Sequence, residues 1–436
     1  MFDLGIIGSG WAGFNAAITA AKLGAKVVLF EDNEIGGVCL NRGCIPTKTL
    51  AHSARLLASS RHYSKFGLEV KGIDLVWENL QSRKTQIVED LQKGICFQLN
   101  SAKVEVVKSR AKIAAANLIE ADGRAFESRF IIIATGSAAA ELPFLKFDHH
   151  RIISSDDILS LNRLPQNLLI IGAGAIGCEF ASIFSALKVK VTIIELMENL
   201  LPGEDREASR KLEAVFKKSG IRVLTKTRVE DIDLKEFDKI LVCVGRRIDT
   251  GDLFTYSPVV KTQSGRILVN EFLQTSEENI YAAGDCTGIK LLAHVAAYQG
   301  RRASENIFGR RRKADYHAIP NCIFTNPEVA SVGIGEQEAK ASGREIITSK
   351  FDWLASGMAR ILEEPDGFIK LVADKSSGEL LGASLIGPKA TELIGVLTLA
   401  VQQQMKIKDI NETIFAHPSL CEGLFEAAEK LNLADN

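Results

Sequence analysis

A short apolar run that ends in Gly-x-Gly-x-x-Gly and opens into an alanine-rich helix occurs twice in this chain. Each copy demands a strand, a tight turn and a helix lying back on a parallel sheet. The first, "FDLGIIGSGWAGFNAAITAAKLGAKVVLFE", places Gly8, Gly10 and Gly13 in the turn, closes the helix at Gly24 and ends the next strand on Glu31. The second, "NLLIIGAGAIGCEFASIFSALKVKVTIIE", repeats the design with Gly172, Gly174, Gly177 and Glu195. Glycine lets the backbone approach a pyrophosphate at the helix N-terminus, and the acidic residue can bond a ribose hydroxyl. Two dinucleotide sites are implied. Leu196 and Met197 follow Glu195 with no arginine at that strand end, which favours a free 2′-hydroxyl and hence NAD over NADP. Trp11 is an unusual occupant of so tight a turn.

The chain is 436 residues long, too much for one ordinary core, so two or more domains are expected. Lys and Arg total 53 against 54 Asp and Glu, leaving no positive field to hold nucleic acid or an anionic membrane. The basic run "GRRRK" (309–313) reads as a solvated loop. No apolar stretch approaches the ~18 residues that span a bilayer, and the N-terminus enters a strand at once without room for a signal sequence. A cytoplasmic or equally reducing location is expected. Cys96, Cys178, Cys243, Cys286, Cys322 and Cys421 stand singly and read as buried thiols.

Cys39 and Cys44 differ, lying five apart in "GGVCLNRGCIPTK". Zinc needs about four ligands, and no second pair with ligand spacing is nearby, so no metal is expected. In a regular helix the two would be ~7.5 Å apart along the axis and point apart, so a bonded pair needs a distorted segment. Gly43 and Pro46 would allow that at a loop-to-helix junction, where the helix N-terminus lowers a thiol pKa. Spacing alone leaves a redox pair and two incidental cysteines equally open.

The surrounding motifs resemble a known family. "GSGWAG" (8–13), "GGVCLNRGCIPTK" (36–48), "IIIATGS" (131–137), "GAGAIGCE" (172–179), "VGRR" (244–247), "IYAAGDCTG" (280–288), "IPNCIFTNPEVASVG" (319–333) and "AHPSLCEGLFEAAE" (416–429) follow in the order of the flavin-dependent pyridine nucleotide–disulfide oxidoreductases. The chain is most similar to the members that oxidise dihydrolipoamide. The resemblance implies that the first fingerprint and Glu31 hold the ADP part of FAD, that Thr135 and Gly136 make a second flavin contact, and that Asp285 bonds the ribityl chain. "LLAH" (291–294), with Ala293, would lie against the flavin, His294 being structural. Gly245 would join Gly172, Gly174, Gly177 and Glu195 in holding NAD. Cys44 would be the thiolate against the flavin and Cys39 the sulfur that exchanges with substrate, while Lys48 pairs with Glu179.

A dithiol substrate gains from a base tuned near neutrality, because a thiol of pKa ~8.5 is only a few per cent thiolate at pH 7. A lone histidine beside proline is more often a packed loop residue. By resemblance, His417 is that base, oriented by Glu422 and delivered from the other subunit of a homodimer. The implied substrate is a lipoyl-bearing protein or free dihydrolipoamide.

The expected class is α/β: two Rossmann-like dinucleotide-binding domains, for FAD and NAD, plus a C-terminal α/β dimerisation domain. The FAD domain would take residues 1–145 and a second part at 249–315, the NAD domain 146–248 and the interface domain 316–436. "FIKLVADKSSGELLGASLIG" (368–387) reads as a hairpin. The helical spacing after it suits either a packed core helix or one against the partner. Two departures stand out: 225–247 is short, as if a hairpin of the NAD domain were pruned, and Phe415 replaces a histidine common two positions before the catalytic one. Rival readings are a glutathione reductase-like NAD(P)H-dependent enzyme and a non-catalytic flavin-binding electron-transfer subunit.

Overall fold

Uninterrupted apolar strands signal a sheet covered on both faces. Val27–Glu31 is buried along its whole length, and the core strand Asn167–Ile171 is buried from Leu168 onward. The computed structural model describes residues 1–256 and 260–432. In it, strands Glu105–Lys108, Val27–Glu31, Phe2–Ile7 and Arg124–Ile133 lie side by side in that order, the neighbouring registers parallel. The first half of Arg124–Ile133 turns outward into an antiparallel meander with Leu118–Ala121 and Ala111–Ala115. Its second half also pairs in parallel with Ile280–Ala282, so a strand from far down the chain completes the first sheet.

The second sheet repeats the arrangement with Arg222–Leu224, Lys190–Ile194, Asn167–Ile171, Lys239–Val242 and Ile152–Ile153, again parallel. No strand lies between Leu224 and Lys239 among the described residues: two 3₁₀ turns, Val229–Asp231 and Leu234–Glu236, make the crossing. The shortness of 225–247 is thus the absence of a hairpin there.

The third sheet is antiparallel, in the order Asn321–Ile323, Glu328–Gly333, Leu380–Gly387, Phe368–Asp374, Ile346–Asp352. The hairpin at 368–387 forms as read, its turn fixed by Ser376 and Ser377 donating to the Asp374 carboxylate. Helix Ala390–Gln402 buries Leu393, Ile394 and Leu397 in this layer while Leu399 stays 61 % exposed, so one face is core and the other is free. Lys370, on this sheet and 7 % exposed, lies 3.1 Å from Asp205 and 2.8 Å from Glu207 at the start of helix Arg206–Lys218, clasping the second unit to the third.

The lone cysteines divide. Cys178 and Cys286 are fully buried, Cys243, Cys322 and Cys421 partly so, but Cys96 is exposed, contrary to expectation. It sits on helix Trp77–Ser101, only three of whose residues are buried, beside Phe97, which is 72 % exposed. Periodicity alone does not reveal so open a helix. The "GRRRK" segment is an exposed loop, with Arg311 stacked over Phe272. No helix among the described residues is long and apolar enough to cross a membrane, and none of their His, Cys, Asp and Glu side chains form a metal-binding group.

Candidate active site

Gly8 adopts φ +102°, and a Cβ there would lie 2.3 Å from the Ala134 carbonyl oxygen. A Cβ on Gly13 would lie 1.8 Å from the Gly8 carbonyl oxygen, so the strand–turn–helix closes only on glycine. Glu31 latches this turn from the next strand: its carboxylate accepts from Ser9 N at 2.8 Å, Ser9 Oγ at 2.6 Å and Asn33 N at 2.9 Å. Ser9 Oγ in turn accepts from Gly36 N at 3.1 Å, tying the turn to the cysteine segment. A carboxylate has about four acceptor sites, so capacity remains for a ribose hydroxyl. The second turn copies the latch, Glu195 accepting from Ala173 N at 2.7 Å and Met197 N at 2.9 Å.

Cys39 lies in the short helix Gly37–Arg42 and Cys44 opens the helix Cys44–Ser60. Gly43 breaks the path between them with φ −142° and ψ −111°, and a Cβ on it would sit 3.2 Å from Cys39 Cα. This break supplies the distortion that a regular helix denies. Both cysteines are free thiols. The neighbouring Cys39 thiol, with Lys48 nearby, outweighs burial and draws Cys44 down to about 7. Cys39 is pushed up by Cys44 and by burial. The inner sulfur therefore carries the charge, at the N-terminus of a long helix.

Lys48, on that helix, reaches Glu179 on the second unit's helix Ala175–Ala186 at 2.8 Å, and Glu179 also accepts from Phe324 N at 2.9 Å. Lys48 lies over the Phe324 ring as well. Three layers thus meet at one ion pair.

A cavity of about 900 Å³ runs past these groups. Gly8, Gly10, Glu31, Cys39, Cys44, Lys48, Thr135, Gly136, Glu179, Asp285 and Ala293 line it. Asp285 accepts from Ser137 Oγ at 2.6 Å, and Arg246 Nε donates to the same hydroxyl oxygen at 2.6 Å. His294, its pKa lowered by burial, bonds the Pro320 carbonyl at 3.0 Å, a structural use. Gly13, Gly172, Gly174, Gly177, Glu195 and Gly245 do not line this cavity. Gly13 packs beneath the turn, and the others belong to the second unit's own turn and strand ends.

His417 is also outside, its side chain 81 % exposed, with Nδ1 2.7 Å from Glu422. Glu422 also accepts from Ser419 N at 2.8 Å, and that bond, then His417, holds its carboxyl below the usual range. Phe415 packs against the third layer's core. Sequence reasoning missed Ser9, Ser137 and Arg246. Each stands inside a quoted motif, but its partner lies 22 to 148 residues away.

Residues 2–300 match the family described as pyridine nucleotide-disulphide oxidoreductase, and residues 319–428 match its dimerisation domain. A dihydrolipoyl dehydrogenase of Chlamydia pneumoniae is 38 % identical over 98 % of this chain and 96 % of its own. One from Bacillus subtilis is 36 % identical over 98 % and 97 %. The crystal structure of LpdA from Mycobacterium tuberculosis superposes with a TM-score of 0.92 at 27 % identity, covering 98 % of this chain and 99 % of that one. The HOCl-induced flavoprotein disulfide reductase RclA of Escherichia coli superposes at 0.88 with the same identity, over 98 % and 99 %.

Proposed function

The chain belongs to the pyridine nucleotide-disulphide oxidoreductase family, and from that premise we propose that it is a dihydrolipoyl dehydrogenase working with FAD and NAD. The observation that carries the reading is the sulfur pair. One thiol is held as a thiolate near neutrality, beside a lysine–glutamate bridge, in the cavity that the first glycine turn opens into. That cavity fits FAD: it has the size of a cofactor site, and its turn leaves no Cβ to block a pyrophosphate. When bound, FAD supplies the hydride chemistry between thiolate and nicotinamide.

The residues do the rest. A substrate thiolate attacks Cys39, breaking the Cys39–Cys44 bond, and Cys44 leaves as the thiolate that its surroundings favour. The second substrate thiol, deprotonated, attacks its own bound sulfur and releases Cys39 with the closed substrate disulfide. His417 takes the protons, its tautomer fixed by Glu422. His417 is exposed and does not line the cavity of the cysteines within one chain, which supports a second copy bringing it, so that the dimer would complete the site. Glu31, Thr135, Gly136, Asp285 and Ala293 would hold the flavin, and Gly172, Gly174, Gly177, Glu195 and Gly245 the NAD. The domain limits set out from the sequence, and a cytoplasmic or equally reducing location, are part of this proposal.

Stopped-flow reduction of the purified yellow protein tests this. Rapid reduction by dihydrolipoamide and NADH, with glutathione and NADPH slow, is expected. Preferential reduction by glutathione and NADPH would instead establish the glutathione reductase-like rival.

A further inference from the structure

The segment "VGRR" ends in two arginines with different surroundings. Successive residues of a strand point to opposite faces, and the short strand Arg246–Arg247 pairs with Ala138–Ala139 of the first unit. Arg247 faces water, 3.7 Å from Asp249. Arg246 turns inward, its side chain 15 % exposed. A buried guanidinium is costly unless anions and acceptors meet it. Among the described residues its ion-pair partner is Asp285, but Nε and Oδ2 are 3.7 Å apart, too far for a direct hydrogen bond.

Ser137 fills the gap. Arg246 Nε donates to Ser137 Oγ at 2.6 Å and Nη2 to the Ser137 carbonyl at 2.6 Å, so the guanidinium grips one residue at two points. A hydroxyl has a single proton, and with Nε donating to its oxygen that proton goes to Asp285 Oδ2, 2.6 Å away. The backbone beside Asp285 is fixed too: Gly284 N donates at 2.7 Å to Oε1 of Gln299, a fully buried side chain. One carboxylate oxygen is thereby committed to Ser137, and the remaining acceptor sites are left for the cavity that Asp285 lines.

We propose that Arg246 is a positioning residue for the flavin, acting through Ser137 to hold the Asp285 carboxylate where the ribityl chain binds and to offset its charge there. The proposal rests on the FAD reading of this cavity given above. When a cofactor covers Asp285 the carboxylate loses water, and a nearby cation counts for more in the less polar surroundings. Arginine suits the task because its planar fork reaches the hydroxyl and the carbonyl together, which a lysine ammonium on a flexible stem does not. The residue also comes from an unexpected side. Arg246 follows strand Lys239–Val242 of the second sheet by four residues, and Ala140 N donates to the Gly245 carbonyl at 3.1 Å where the chain crosses over. The first unit's grip on its flavin is thus completed by a side chain that the second unit delivers.

The test reads the dissociation constant for FAD. Holoprotein is diluted in steps, with FAD added where a variant needs it, and flavin passing an ultrafiltration membrane is measured by fluorescence. Arg246→Met should raise the constant about tenfold or more, since it strips a buried hydrogen-bond and charge partner, and Arg246→Lys should fall between it and the wild type. Asp285→Asn removes the charge that Arg246 is held to serve, so adding Arg246→Met to that variant should change the constant less than about twofold. A residue that merely fastened the two units together would weaken binding by the same factor in both backgrounds, and that result overturns the proposal, as does an unchanged constant in Arg246→Met. Should Arg246→Met not fold, Ser137→Ala takes its place in the same comparison: a severalfold rise in the wild type and little change beside Asp285→Asn are expected, and equal factors overturn it. No readout uses dihydrolipoamide or NAD, so failure of those substrates leaves the result standing. A protein that takes up no FAD would overturn the cofactor reading and the proposal with it.

Discussion

The two glycine-turn units are built on the same four-strand core and differ in what the turn is fastened to. In both, a carboxylate 22 residues after the turn accepts the backbone N–H between the first two glycines and another N–H two residues beyond itself. In the first unit that middle residue is Ser9, whose hydroxyl adds a bond to Glu31 and one from Gly36. In the second it is Ala173, and the chain continues by two short turns where the first unit has a meander. One latch is thereby coupled to the sulfur pair, while the other serves its own turn alone. A shared fingerprint gives the capacity to hold a dinucleotide, and the residue between the glycines determines whether that hold is mechanically joined to the chemistry.

The sharpest division between the units should come from Cys39→Ser, which removes the exchanging sulfur on the first unit's side. Turnover of dihydrolipoamide should fall on the order of a thousandfold or more, with flavin content and NADH binding unaltered in absorbance and titration measurements. Retained turnover would break the split of roles between Cys39 and Cys44. Next come the paired substitutions Gly13→Ala and Gly177→Ala, whose new methyl groups would lie 1.8 and 2.0 Å from the Gly8 and Gly172 carbonyl oxygens. The first should yield protein without flavin; the second should remain yellow, with a Michaelis constant for NADH raised about tenfold or more. Identical outcomes would erase the assignment of one unit to each cofactor.

A smaller contrast is expected from Ser9→Ala and Ala173→Ser. Losing a hydroxyl that leaves Gly36 N without its acceptor costs about 1 to 3 kcal/mol, read as weaker flavin retention on dialysis, whereas the added hydroxyl should change NADH affinity little. Equal effects would mean that the coupling through Gly36 is inert. The smallest effect concerns pH. Cys44 lies below an ordinary thiol value, so its thiolate persists above about pH 7 and is lost as pH falls through that value. Lys48→Met should move the midpoint upward by less than about one unit, seen in the pH dependence of thiolate absorbance in the reduced protein, because Lys48 is a lesser cause than the Cys39 thiol. A downward shift would reverse the inferred sign.

Most of the first unit was legible because its constraints are local. Gly8 and Gly13 are required by backbone contacts within their own strand–turn–helix and the adjacent strand, and Gly43 by the break between two neighbouring cysteines. The hairpin at 368–387 was legible for the same reason. Lys48 and Glu179, 131 residues apart, could be paired only through resemblance, since no spacing rule links two helices of separate units. Cys96 was misjudged because a lone cysteine carries no signal about which face of its helix is covered. The bridges from Ser137 to Asp285 and Arg246, and the exposure of His417, have no sequence signature.

Glycine spacing and strand hydrophobicity settled by themselves that this chain builds two dinucleotide turns, because backbone sterics act between near neighbours, whereas the cysteine pair was read as reactive only through resemblance. Which acid faces which lysine and where the histidine stands were decided only when distant segments came within a few ångströms, since electrostatic and hydrogen-bond energies depend on distance in space and not on separation along the chain.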